Sequence, residues 1–136
     1  METDIRPTTL WRKERDEEAE RVAAGRLPAQ DAHMAALYPD AFLDLTDPVL
    51  DTFADAIRQR ATTPDAYPLV MGDVERVVLA LNAISNVSDG WIETGEREDL
   101  CGYIEQVIAQ HGIDVDLLAA SQGVGGHELT DQWREW

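Results

Sequence analysis

The chain has 136 residues, 44% of them hydrophobic, and its 27 acids against 11 basic residues set a net charge of −16. That length supports one domain with a core that needs neither disulfides nor metals, and the hydrophobic share excludes wholesale disorder. A negative field of this size repels nucleic acid and anionic membranes and favours protein partners with a basic surface.

The single cysteine, Cys101, has no internal partner, which suits a reducing cytosol. The opening "METDIRPTTL" has acids where a secretory signal carries an apolar stretch, so a cytoplasmic location is expected. The longest apolar run, "VVLALNAI", is interrupted by Asn82 and is too short to cross a bilayer. The charge is uneven. Residues 91–120 hold seven acids and one arginine, Arg97, whereas the first thirty residues are nearly balanced. Generic solubility and a lineage-wide acidic composition compete with a binding role for this charge, and Lys13, the sole lysine beside ten arginines, points to a GC-rich coding bias.

Residues 9–25 read as a charged helix opened by Thr8 or Thr9 and closed by Gly25, with a thin stripe of Leu10, Trp11 and Val22. It is expected at the periphery, as a solvated outer helix or a partner-binding arm. "PAQDAHMAALYPDAFLDL" predicts a short helix ending before Pro39, then a loop with Phe42, Leu43 and Leu45 turned inward. Asp47 as N-cap and Pro48 at the first helical position open a helix over 48–60 whose inner face is Val49, Leu50, Phe53, Ala54, Ile57 and Ala61. "TTPDAYP" breaks the pattern. A helix from Val70 or Asp73 to Val87 follows, apolar on most sides and therefore central, with Asn82 as a boundary amide bonded to backbone or solvent. "SNVSDG" is the next turn.

The helix over 93–111 begins in a cluster of carboxylates, with Thr94 as the expected N-cap. At about 100° per residue, Leu100, Cys101, Ile104, Val107, Ile108 and His111 share one arc with Arg97, while Glu98 and Asp99 point elsewhere. The acids do not converge, and helix capping together with the macrodipole explains them without a ligand. Arg97 on the inner face calls for a carboxylate partner, Asp73 or Glu75. Cys101 and His111 lie about 15 Å apart along the axis, too far for a nucleophile–base pair, so Cys101 reads as core. His111 reads as a core-facing residue beside the last carbonyls. "IDVDLLAAS" predicts a short helix, "SQGVGG" a flexible linker, and "HELTDQWREW" a last turn carrying Trp133 and Trp136 on one face. These tryptophans either seal the core or present an aromatic anchor.

The expected architecture is an all-α, single-domain helical bundle over 1–136, with about five helices around a central antiparallel pair, 70–87 and 93–111, and 48–60 packed across it. Residues 1–26 form the peripheral charged helix and 121–136 the Gly-rich linker and tail. No catalytic, cofactor or dinucleotide motif is present, and His33, His111 and His127 lack zinc spacing. The sequence favours a non-enzymatic protein-binding module, in the form of an immunity protein or inhibitor of a basic effector enzyme. Its candidate partner-binding residues are Glu93, Glu96, Glu98, Asp99, Trp133 and Trp136. The alternatives are a small metal-dependent hydrolase holding its ion with Glu93, Glu96 and His111, and a structural homodimer.

Overall fold

The computed structural model describes residues 6–61, 63, 65–87 and 91–136, the side chain of His127 excepted. The expectations for the extreme N-terminus, for Thr62 and Pro64 in the "TTPDAYP" break, and for positions 88–90 of the "SNVSDG" turn fall outside these residues. The chain is all-helical: α1 Pro7–Ala23, α2 Met34–Leu37, α3 Asp40–Arg60, α4 Tyr67–Val87, α5 Thr94–Gln110 and α6 Val115–Ser121, with 3-10 turns at Ala29–Asp31 and Gly126–Glu128. No helix is long and apolar enough to cross a membrane among the described residues.

Several boundaries move from their expected places. Pro7, not a threonine, begins α1, where its missing N–H has no helical acceptor to lose, and Thr8 is buried inside the first turn. Gly25 closes the helix at φ +75°, with Arg26 N–H donating to Arg21 O at 2.8 Å, as a left-handed C-terminal cap requires. Gly112 repeats this device after α5. The start of α4 comes at Tyr67, three residues before Val70, because Pro68 in the first turn costs no helical hydrogen bond.

The largest departure is α3. It runs unbroken through Pro48, so there is no loop at 42–45 and Asp47 is not an N-cap. The proline withholds a donor from the Asp44 carbonyl one turn back. Packing offsets that loss, since Phe42, Leu43, Thr46, Leu50, Phe53 and Ile57 form one continuous buried face on both sides of Pro48. Thr46 also donates to Phe42 O at 2.7 Å. Arg12 of α1 reaches across the turn before the proline, to Asp44 Oδ1 at 3.3 Å and Asp47 Oδ2 at 2.9 Å. Burial alone would raise the Asp47 carboxyl pKa, but the neighbouring Thr8 hydroxyl and Arg12 hold it below the ordinary range. Thr8 Oγ1 and Asp47 Oδ1 nevertheless do not meet in a hydrogen bond of ordinary geometry.

With α3 at its full length, the dominant pair in the fold is α3 with α4, joined by the short connection 61–66 and hence antiparallel. The expected pairing of 70–87 with 93–111 is thereby corrected: α5 lies instead against α1, α3 and α6. Nor is α1 a loose arm. Trp11 is wholly buried and stacks on Tyr38 at 5.4 Å and on Phe42 at 5.5 Å, and Phe42 in turn meets Trp91 at 5.4 Å. This aromatic layer joins α1, the end of α2, the start of α3 and the approach to α5.

Glu18 makes the second attachment of α1. Its Oε1 accepts from the backbone N–H of His33 at 3.1 Å and of Met34 at 2.8 Å, capping α2. The side chain is covered by its immediate neighbours although it lies in the outer shell of the molecule. Burial pushes its pKa up, but the two N–H donors outweigh that and set it below the ordinary glutamate range.

Two measurements test this scaffold. Trp11→Ala should cost about 3–5 kcal/mol in urea unfolding, because a large ring leaves a packed layer. Trp11→Phe, which keeps most of the ring and loses the N–H, should cost about 1–3 kcal/mol. For Glu18, a lowered folded pKa adds stability that is complete above the ordinary value of about 4.3 and is lost as pH falls through the folded value. Glu18→Gln should therefore be less stable than the parent at neutral pH, and the difference should shrink as pH falls through the folded value.

Candidate functional site

The carboxylates that open α5 have divergent fates. Glu93 is the N-cap, one residue earlier than expected, and its backbone N–H donates to Glu96 Oε1 at 3.2 Å, the reach-back half of a capping box. Glu96 is buried and its Oε2 accepts from Tyr38 Oη–H at 3.1 Å. Burial of Tyr38, reinforced by the Glu96 charge, raises the phenol pKa well above its usual range, which keeps Tyr38 a donor. Asp99 Oδ2 accepts from Trp11 Nε1–H at 2.9 Å. Glu96 and Asp99 therefore hold the polar edges of the aromatic layer. Glu93 and Glu98 are exposed and make no ion pair among the described residues.

The candidate metal trio is not brought together. Glu93 and Glu96 lie at the first turn of α5 and His111 at its last, about 22 Å away by helical rise. The His111 Nδ1–H donates to Val107 O at 2.9 Å, in the tautomer that this contact requires. Among the described residues, no group of three or more His, Cys, Asp or Glu side chains is placed to hold an ion.

Arg97 does not meet Asp73 or Glu75. The acceptor it was expected to need is occupied: buried Asp73 receives Arg60 Nε at 2.9 Å and Arg60 Nη2 at 3.1 Å, together with Arg76. Arg97 instead lines a cavity of about 430 Å³ with Glu98, Cys101, Gly102, Glu105, Asp131 and Arg134. Cys101 is not fully in the core. It is half-buried beneath the C-terminal segment, 3.4 Å from Thr130 Oγ1 and 3.4 Å from Arg134 Nη1.

That C-terminal segment is folded back onto the bundle. The side-chain amide of Asn82 pairs with its backbone in both senses: Nδ2 donates to Trp133 O at 2.8 Å, and Oδ1 accepts from Glu135 N–H at 3.0 Å. Asn82 is thus bonded to backbone, as its boundary position implied. Trp133 and Trp136 are half-buried against the core, and the Arg134 guanidinium lies 5.6 Å from the Trp136 ring centre. The "SQGVGG" segment is a defined turn and not a free linker. Val124 N–H donates to Ala119 O at 3.0 Å, and Gly125 N–H donates to Glu128 Oε1 at 2.8 Å.

A more apolar feature lies elsewhere, in the cleft between α3 and α4. Its volume is about 250 Å³, and Pro48, Val49, Thr52, Phe53 and Ala56 line it opposite Asp73, Arg76, Val77 and Ala80. By helical geometry Leu45 continues this line along α3, and Ala83 and Val87 continue it along α4. Leu45 is 45% exposed and Val87 63%, and Leu79 beside them is 47% exposed. Both Asp73 oxygens at the closed end are engaged by Arg60 or Arg76, so the floor offers shape and apolar surface more than polar chemistry.

Sequence reasoning missed this cleft because the 42–45 segment was expected to be a loop. The available signal was the spacing of Leu45, Pro48, Thr52 and Ala56 on one side of a continuous helix.

No protein-family model, curated protein or solved structure matches this chain.

The tail attachment is open to direct test. Asn82→Ala leaves the Trp133 carbonyl and the Glu135 N–H without their partners and should cost about 1–3 kcal/mol. Hydrogen exchange at 130–136 should accelerate, and tryptophan emission should shift to longer wavelength, while the α1 and α3 amides retain their protection.

Proposed function

We propose that this chain is a non-enzymatic protein-binding module that attracts a basic partner with its acidic surface and holds it in the α3–α4 cleft. Its particular form is an immunity protein or inhibitor that occludes a basic effector enzyme. The observation that carries the reading is an apolar cleft open to solvent on a protein with a net charge of −16. On a surface otherwise so polar, contiguous exposed aliphatic side chains mark a place where another macromolecule is expected.

The disposition of the arginines supports the same reading. Arg6, Arg12, Arg15, Arg58, Arg60, Arg76 and Arg134 each meet an acid of this chain. The acid surplus, Glu93 and Glu98 included, thus faces outward with little cationic cover. Charges at the edge of an interface act chiefly on the rate of encounter, and apolar contacts at its centre set how long the complex lasts.

The partner captured from native cells should be basic, and it should associate about tenfold or more slowly at 500 mM than at 50 mM salt. Glu93→Gln with Glu98→Gln should weaken that salt dependence without unfolding the protein, because neither side chain supports the aromatic layer. A captured partner that is neutral or acidic, or an association rate indifferent to ionic strength, would overturn the proposal.

A further inference from the structure

We propose that residues 131–136 are a latch, a peptide ligand that the chain carries for itself. It is seated across α4 and α5 and closes that seat to other segments of the same chemistry. That chemistry is a short peptide with two tryptophans three residues apart, held through its backbone by a side-chain amide. The bonding of Asn82 carries the inference. Asn82 is buried on α4, yet both ends of its amide are spent on the segment, at Trp133 O (2.8 Å) and Glu135 N–H (3.0 Å). An amide that meets one acceptor and one donor of a passing backbone fixes a peptide's register whatever its side chains. Trp133 and Trp136 then act as the anchors, half-buried against the core.

The segment is also a separable piece. Arg134 pairs with Asp131 Oδ1 at 3.0 Å, lies 5.6 Å from the Trp136 ring centre and donates to Thr130 Oγ1 at 3.0 Å. Two of these three contacts are internal to 131–136, and Thr130 sits at the hinge, where it and Leu129 stay buried. Among the described residues, the other polar tie from the segment to the bundle runs from Arg134 to the Cys101 sulfur at 3.4 Å, a weak acceptor. The docked state leaves a cost unmet. Trp136 buries its indole N–H with no acceptor among the described residues, and opening hands that donor to water. Asp131 and Arg134 form one wall of the cavity over α5, so the seat is already open along that side. Since α4 and α5 are not one of the fold's main helix pairs, lifting the segment uncovers the seat without parting such a pair.

Latch and cleft are different surfaces. Asn82 is turned well away from Val77 and Ala80 of the α3–α4 cleft at about 100° per residue. The latch therefore stands or falls apart from the acidic-surface reading.

Trp133→Ala with Glu135→Pro opens the latch from the segment's side. It removes one anchor and the N–H that Asn82 receives, and it leaves the seat untouched. The probe is the capped hexapeptide Asp-Gln-Trp-Arg-Glu-Trp, titrated into the full-length parent and the full-length variant by backbone-amide NMR. The variant should bind it about tenfold or more tightly than the parent, because a seat filled by a tethered segment is free for only a small fraction of the time. Shifts should gather around Asn82 and Cys101 and spare α1. Adding Asn82→Ala to the variant should abolish the gain, and a hexapeptide with alanine for both tryptophans should bind roughly tenfold or more weakly. Equal binding to parent and variant, or a gain that survives Asn82→Ala, would overturn the latch. So would loss of amide protection throughout α1 and α3 in the variant, which would make the segment part of the core and not a ligand of it.

Discussion

Trp11 has to be buried as a ring and satisfied as a donor, and the bundle is organised around meeting both demands. Its faces are taken by Tyr38 and Phe42, and its indole N–H by Asp99 across the molecule. Tyr38 presents the same problem on a smaller scale, and Glu96 resolves it through the phenol. An aromatic residue with a polar edge is stable inside only when that edge finds a partner. Here the partners are carboxylates that α5 carries near its start, where the helix macrodipole and its unbonded N–H groups also favour negative charge. The placement of α1 against α5 follows from this double use.

The same layer fixes the beginning of α3. Phe42 is pinned between Trp11 and Trp91, so the chain is already committed to its inward path six residues before Pro48. A proline within a helix normally costs about 3 kcal/mol or more. Burial of Leu43, Leu50, Phe53 and Ile57 on both sides of Pro48, with Arg12 spanning the preceding turn, is ample to offset it. Continuity of α3 is what gives α4 a full-length neighbour. It also leaves the seam between the two helices open where Leu45, Pro48 and Ala80 meet solvent.

The protein thus uses its charges in two ways. Acids such as Glu18, Glu96, Asp73 and Asp99 are structural acceptors, each engaged by backbone N–H groups, an aromatic donor or arginine. Others, among them Glu93 and Glu98, remain outward and unpaired among the described residues. Seven arginines are paired with acids of this chain, most of them at the surface, and the acids left over carry the excess negative charge. A binding role needs both this field and the apolar cleft, since charge hastens encounter but contributes little to retention in water.

Helix identity was legible from local chemistry. The stripes of α4 and α5, the short α2 and α6 and the glycine that closes α1 all depend on residues within a turn or two of one another. The sequence also showed that the acids before α5 cannot converge, because rotation along a helix separates them. Other features depended on partners distant in the chain. Whether Pro48 starts or interrupts a helix turned on burial by Phe42 and on Arg12, and whether Glu96 faces out or in turned on Tyr38. The partner of Asp73 was decided by Arg60 across the hairpin. Local periodicity and capping fix which segments coil, for they involve energies within single turns. Tertiary packing alone fixed which faces were covered and which seam stayed open, because those energies arise only when remote side chains compete for the same space.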